Sequence, residues 1–334
     1  IELMAGLDYS YHARIAVIGA GMAGLSCAKH LSEHGVHTTI FEKSRGLGGR
    51  LATRRADSGI AFDHGAQFIA ARSTLFGNMV NEAIRNGAAD YWRPVNLNEG
   101  SFGSDDWVVG VPAMNALVKP FARGVDVRLQ NEVATIRQND GKYYIRTQNS
   151  KAEECFDIVI CTIPAPQAQV LFAFKSDIIN ALEKVSIAPC WALMVTFSSP
   201  FNAGFDVWRS NSHDLAWVSR NNSKPARDSL TDCWVVHASP QWSQRHLELD
   251  PKIIAEMMIE MLPNVLGIAI PEIDYVSSHR WRYALTTVPL GEPYLSSDDG
   301  TLFIGGDWCL GGRVEYAFES GHAIAEALIH RRKG

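Results

Sequence analysis

Ile15-Ala16-Val17-Ile18-Gly19-Ala20-Gly21-Met22-Ala23-Gly24-Leu25 sets the architecture of this chain. An apolar, β-branched run ends in Gly-x-Gly-x-x-Gly, and a helical pattern follows through Cys27, Ala28 and Leu31 to a stop at Gly35. A second apolar run, Thr38 to Phe41, closes on Glu42. Strand, glycine turn, helix and strand within about 30 residues make a βαβ unit whose helix N-terminus suits a pyrophosphate. Gly19 permits the tight turn, Gly21 lets backbone approach a phosphate, and Gly24 lets helix and strand pack closely. Met22 and Ala23 open the helix and contribute its first amides. Glu42 lies 23 residues beyond Gly19, where an acid accepts from a ribose hydroxyl pair and disfavours a 2′-phosphate.

Outward from that unit, Glu42-Lys43-Ser44-Arg45-Gly46-Leu47-Gly48-Gly49-Arg50 supplies a second glycine cluster. Such a loop can run close to a dinucleotide, and Arg50 offers a fixed positive fork to its diphosphate. Near the far end, Thr301 to Ile304 reads as a strand, followed by Gly305-Gly306-Asp307 and a helix from about Val314 to His330. That return to strand, glycine and helix predicts one nucleotide-binding domain built from both ends of the chain. The middle differs: Ala188 to Val288 holds six of the nine tryptophans, several alternating segments and a helical pattern at Pro251 to Leu262, which predicts an antiparallel sheet with covering helices. Pro112 to Ala122 reads as helix, Val125 to Thr147 as strands broken at Asn139-Asp140-Gly141, and Ile158 to Ile163 as a buried parallel strand.

Composition narrows the function classes. With 46% hydrophobic and 20% charged residues the chain has the make-up of a globular protein, and 334 residues suffice for two domains. The net charge of -5 gives no basic footprint for nucleic acid or an anionic membrane. The uncharged stretch Val185 to Phe205 contains Pro189, Pro200, Asn202 and Gly204, so it is expected as a strand region, not a membrane helix. Six scattered cysteines with no C-x-x-C pair predict neither a disulfide framework nor a zinc site, and no metal is expected. Together with the absence of a leader-like pattern in the first 14 residues, this leads us to expect a cytoplasmic protein.

Three segments now combine: Gly19 to Gly24, Gly48-Gly49-Arg50, and Gly305-Gly306-Asp307. Together they resemble the signatures of the FAD-dependent family that includes amine oxidases and Rab GDP-dissociation inhibitors. The resemblance implies non-covalent FAD touching Gly19, Gly21, Met22, Ala23, Gly24, Glu42, Lys43, Gly49 and Arg50. It also implies that Asp63-His64-Gly65-Ala66-Gln67-Phe68 runs beside the flavin ring, with Gln67 as polar reader and Phe68 as wall. In the same family pattern the backbone of Val133 meets adenine, Gly306 and Asp307 meet the ribityl chain, and the helix start at Arg313, Val314 and Glu315 faces the flavin pyrimidine edge. A thioether from Cys309 is not expected, since it sits too near the ribityl contact and a buried thiol is inert.

More narrowly, the chain from Arg14 onward is similar to bacterial renalases. The supporting segments are Ser219-Arg220-Asn221-Asn222-Ser223-Lys224-Pro225, Trp234-Val235-Val236-His237-Ala238 with Trp242-Ser243, His279-Arg280-Trp281-Arg282-Tyr283-Ala284 and Gly306-Asp307-Trp308-Cys309-Leu310-Gly311-Gly312-Arg313-Val314-Glu315. That resemblance implies an oxidase that converts 2- and 6-dihydro isomers of NAD(P)H to NAD(P)+, with hydride passing to flavin and O2 reduced to H2O2. Its substrate-side fixers would be Gln67, Asn221, His237 and Trp281, and Arg220 or Arg280 would meet phosphates if not spent in salt bridges. The alternatives are a flavin amine oxidase, for which Lys175, Lys184 and Lys224 offer no matching context, and a scaffold of the GDP-dissociation-inhibitor type. The expected fold class is α/β: a Rossmann-like FAD-binding domain at 12–75, 120–165 and 290–332, with an inserted α+β substrate domain on a mainly antiparallel sheet at 76–119 and 166–289.

Overall fold

A computed structural model describes residues 13–56, 59–96, 106–228 and 230–331; the expected outer bounds at 12 and 332 lie outside them. The chain divides into two compact units, 1–49 with 118–185 and 288–334, and 50–117 with 186–287. Both are therefore discontinuous, and the first joins the two ends of the chain. Residues 50–75 fall with the second unit instead of the FAD-binding side, and 166–185 with the first. Packing explains the first difference, since Phe62 is buried against Met194, Cys233 and Val235 of the second unit's sheet.

The first unit is built on strand β1 (Ile15–Ile18), helix α1 (Met22–Glu33) and strand β2 (Thr38–Phe41). Its six-stranded sheet runs Leu295–Ser296, Leu302–Ile304, Ile158–Cys161, β1, β2, Asp126–Arg128. All pairs but the first are parallel, with Ile15 level with both Ile158 and Thr38. Parallel strands covered on both faces read as unbroken apolar runs, and all four residues of β1 and of Ile158–Cys161 are buried. The C-terminal helix Val314–Arg331 packs on α1 so closely that a Cβ at Gly321 would lie 2.1 Å from the Ala23 carbonyl oxygen. A three-stranded antiparallel meander, Val133–Asn139, Lys142–Thr147 and Glu154–Phe156, turns at Asp140 and Gly141, both at positive φ.

The second unit holds a five-stranded sheet in the order Val207–Arg209, Leu215–Arg220, Cys233–Ala238, Ser186–Phe197, Ile273–Val288. Its core gathers Trp191, Leu193, Trp234 and Val236 from the sheet with Ile254, Met258 and Leu262 from the helix Pro251–Leu266. That helix starts where Asp250 accepts from the Lys252 amide and Pro251 fixes φ, and it stops at Gly267 with φ 69°. It runs one turn past the expected end at Leu262. Where Pro112 to Ala122 predicted a helix, two short 3-10 turns form instead, Met114–Leu117 and Lys119–Ala122. A helix at Thr74–Arg85 was not anticipated, although Ser73 caps it by accepting from the Phe76 amide. No described helix is long and apolar enough to cross a membrane.

Candidate active site

In the first unit the glycine turn is closed by contacts that tolerate no side chain at two positions. Gly19 has φ 101° and donates to the Phe41 carbonyl at 2.9 Å. A Cβ on Gly24 would lie 2.0 Å from the Gly19 carbonyl oxygen and 2.7 Å from Thr162 Oγ1. Gly21 is different: its φ is -77° and nothing lies within 4 Å of the Cβ it lacks. Neither backbone strain nor packing within the protein asks for glycine there, so the open space before it is a cradle of the kind a phosphate enters. No side chain caps α1, whose first residues Met22 and Ala23 are buried. Gly49, at φ 54°, would bring a Cβ to 3.6 Å from the Gly21 Cα, so the second glycine cluster abuts the first.

Glu42 is buried and its carboxylate is already at work: Oε2 accepts from the Ala20 amide at 2.8 Å and Oε1 from the Ser44 amide at 2.7 Å. Each oxygen keeps a further lone pair, so the same group can brace both loops and receive a ribose hydroxyl. Lys43 is exposed on the following loop, and Val133 is buried at the start of its strand. At the other end Gly306, at φ 152°, donates to Ser320 Oγ, which donates on to the Pro293 carbonyl. Asp307 is buried and begins the turn Asp307–Cys309, its carbonyl accepting from Leu310 and Gly311. The C-terminal helix begins at Val314, and Glu315 in its first turn is buried with a carboxylate oxygen 3.6 Å from Arg313 Nε. This acid offsets part of the positive helix end, which the family resemblance implies for a flavin edge. Burial pushes the Cys309 thiol up to about 12, which leaves it inert as a nucleophile.

Loss of the Glu42 carboxylate should therefore release cofactor through two routes, the ribose and the loop. We expect Glu42→Ala to lower FAD affinity at least about tenfold, since charge-assisted bonds contribute roughly 1.5 to 3 kcal/mol each. Retained flavin after gel filtration, read by absorbance, checks this; an unchanged flavin-to-protein ratio on dilution would remove the assignment.

The second unit carries a buried polar cluster around Asp63. Arg227 Nη2 lies 2.7 Å from Asp63 Oδ2 and Lys224 Nζ lies 3.5 Å from the same oxygen. Burial alone would raise the Asp63 carboxyl, yet Lys224, Arg227 and the Met114 amide outweigh it and hold the group at about 2. Burial also brings Lys224 down to about 8, with Asp63 opposing the shift. Asp63 and Lys224 stand in segments that the family resemblance picks out and Arg227 stands outside them, but no local signal marks the three as an ion-paired group. Asn221 accepts from the Asp63 amide and donates to the Ala61 carbonyl, while Gln67 donates to the carbonyls of Asp63 and Gly65 and accepts from Ser219 Oγ and Lys224 Nζ. With both protons and both lone pairs engaged, the Gln67 amide fastens this segment.

His237 and Trp281 do come together. His237 Nε2 lies 3.0 Å from the His64 carbonyl oxygen and Trp281 Nε1 donates to that same oxygen at 3.0 Å. His64 and His279 flank the indole, with ring centroids 4.9 and 4.4 Å from it. Burial lowers all three histidines, His64 to about 3, His237 to about 4 and His279 to about 4, so the rings are neutral at physiological pH. Phe68 stacks on Trp107 at 4.0 Å. Arg50 Nη1 donates to the Ala284 carbonyl, which commits part of its fork. Arg220 is spent on Asp232 and the Phe201 carbonyl, and Arg280 on Glu248 and the Leu247 carbonyl, so neither is arranged as a phosphate clamp.

Residues 17–83 match an NAD(P)-binding Rossmann-like domain, and residues 86–329 match the family described as flavin containing amine oxidoreductase. The chain belongs to the flavin-containing amine oxidoreductase family. Its cofactor is FAD, bound without a covalent link, and the open Gly21 cradle, the buried Glu42 and the inert Cys309 fit that group. Among solved structures the chain is similar to an Exiguobacterium protein proposed to be a protoporphyrinogen oxidase, with TM-score 0.77 and 13% identity over 95% of this chain and 99% of that one. It is likewise similar to cyclohexylamine oxidase from Brevibacterium oxydans, with TM-score 0.73 and 10% identity over 96% and 100% of the two chains. At such identities the likeness is one of fold. A 4,4'-diapophytoene desaturase of Staphylococcus aureus is 43% identical over 56 residues, 17% of this chain and only 11% of that relative's length.

Proposed function

We propose that this family member is a renalase-like oxidase of the 2- and 6-dihydro isomers of NAD(P)H, yielding NAD(P)+ and H2O2. The observation that carries the reading is the grouping of Trp281 with His64, His237 and His279, where Trp281 Nε1 and His237 Nε2 both meet the His64 carbonyl oxygen at 3.0 Å and two imidazoles flank the indole. Bound FAD supplies a hydride acceptor that is reoxidised by O2. A dihydropyridine expels hydride with the push of its own ring nitrogen, so the protein need only orient the ring and exclude water, with no general base. A flat indole and uncharged imidazoles suit that task. Asn221 and Gln67 act as positioning residues, locking residues 61–67 on which the His64 carbonyl is presented.

A second reading, flavin amine oxidase, is favoured by one observation: Lys224, whose sequence context matches no such role, is fully buried and bonded to Gln67 in this same cluster. Anaerobic mixing of the yellow enzyme with borohydride-treated NAD+, and separately with amines, separates the two. We expect bleaching only by the dihydronicotinamide isomers. Because His64, His237 and His279 carry no charge above about pH 5, the rate of bleaching should be level from about pH 5 to about pH 7 and change as Lys224 titrates near 8. Bleaching by amines alone, with a rate that climbs as the amine loses its proton, would overturn the proposal. Protein that takes up no flavin would instead favour a scaffold role.

A further inference from the structure

A cluster of histidines and glutamates unused by the flavin chemistry sits where α1 packs on the C-terminal helix of the first unit. His30, Glu33 and His34 come from α1 and its cap, while His322, Glu326 and His330 follow one another at helical i, i+4 steps on the second helix. His30 Nε2 lies 2.5 Å from Glu326 Oε1, and the His30 and His322 rings stack with centroids 4.3 Å apart. One potential ligand atom from each of His30, His322 and Glu326 lies within 4.8 Å of the other two, and among the described residues this is the one group of three or more His, Cys, Asp or Glu so arranged.

The scaffold under these side chains is stiff. Gly321 and Ala23 bring the helix backbones into contact, and Ser26 Oγ donates to the Phe318 carbonyl across the helix pair. The surroundings resemble an outer ligand shell: His330 Nε2 lies 3.2 Å from Glu326 Oε2, Glu33 Oε2 lies 3.8 Å from His30 Nδ1, and His34 Nδ1 bonds the His30 carbonyl. We propose that His30, His322 and Glu326 bind a divalent zinc-class cation that clips α1 to the C-terminal helix. Two imidazoles and a carboxylate are a borderline nitrogen and oxygen set, which suits Zn2+ and excludes Mg2+ and Ca2+ as preferred ions. The ion takes the place of the His30–Glu326 hydrogen bond, whose proton leaves to solvent, and that contact opens to roughly 3.4 Å, the edge of a tetrahedron with metal bonds near 2.1 Å; water takes the fourth position. The cysteine-based expectation of no zinc site does not bear on this one, because its ligands are all imidazole and carboxylate and lie 296 residues apart for His30 and Glu326.

The test uses untagged, FAD-loaded protein stripped with EDTA and titrated calorimetrically with ZnCl2, with MgCl2 as control. We expect one equivalent of Zn2+ bound, weakened at least about tenfold by Glu326→Gln and by His322→Asn, with the flavin spectrum unchanged. Zinc should raise the melting temperature of the natural protein by a few degrees and leave both variants unmoved. Glu326→Gln alters a partly exposed side chain and should keep the fold even if His322→Asn does not. No uptake of Zn2+ at about 1 mM, or equal uptake by wild type and Glu326→Gln, overturns the proposal.

Discussion

Replacing Asp63 by alanine is expected to cost about 3 to 5 kcal/mol of stability. The carboxylate is 1% exposed and faces Lys224 at 0% and Arg227 at 5%, so its removal strands two buried cations. Oδ1 also accepts from the Met114 amide and Thr53 Oγ1, which tie the segment to its neighbours. A total stability of about 5 to 15 kcal/mol leaves little after such a loss. We expect poor expression of Asp63→Ala and, for what is recovered, a marked fall in the urea midpoint followed by tryptophan fluorescence. The cause is separable from lost packing: Asp63→Asn combined with Lys224→Met keeps shape and removes one stranded charge, and should recover part of the midpoint. Arg227 is better placed to survive, since its Nη1 also donates to the Gly110 and Pro225 carbonyls. A midpoint for Asp63→Ala equal to that of the natural protein would show that the cluster contributes nothing to the fold.

Gly24→Val should yield protein that cannot hold FAD at all. Its Cβ would overlap the Gly19 carbonyl, and neither neighbour can yield: Gly19 is anchored to Phe41, and Thr162 Oγ1 donates to the Ile18 carbonyl at 3.0 Å and to Gly19 at 3.2 Å. Only a shift of α1 off the sheet would make room, and that removes the helix N-terminus from the place where it meets a phosphate. Gly21→Ala is the informative companion. Its backbone is ordinary and its Cβ meets nothing in the protein, so the fold should persist while FAD affinity falls at least about tenfold. Equilibrium titration with FAD, followed by quenching of flavin fluorescence, distinguishes the two. Yellow Gly24→Val protein, or Gly21→Ala with natural affinity, would contradict the role given to this turn.

Much of the first unit was legible because its signals are short-range. Gly19, Gly21, Gly24 and Glu42 lie within one βαβ unit, where turn geometry and strand length fix their mutual placement before any distant contact forms. The apolar runs of β1 and Ile158–Cys161 likewise announced a parallel sheet, and the tryptophan-rich middle an antiparallel one. Short helices were less legible: Pro112 to Ala122 has helical spacing, yet the chain breaks it into 3-10 turns.

Spacing along the chain could not reveal the roles of polar side chains in the second unit. Gln67 is braced by Ser219 and Lys224, 152 and 157 residues away, which donate to its oxygen. Nothing around Lys224 in the sequence announces a buried ion pair, and only folding puts it beside Asp63, 161 residues distant, where exclusion of water turns an ordinary lysine into half of one. Periodicity and turn chemistry act over a few residues and specify elements; burial and charge pairing act through space and become defined only once those elements are packed. The sequence alone thus determined the nucleotide-binding turn and the class of fold, and tertiary structure decided which polar groups brace the site and which stay available to a ligand.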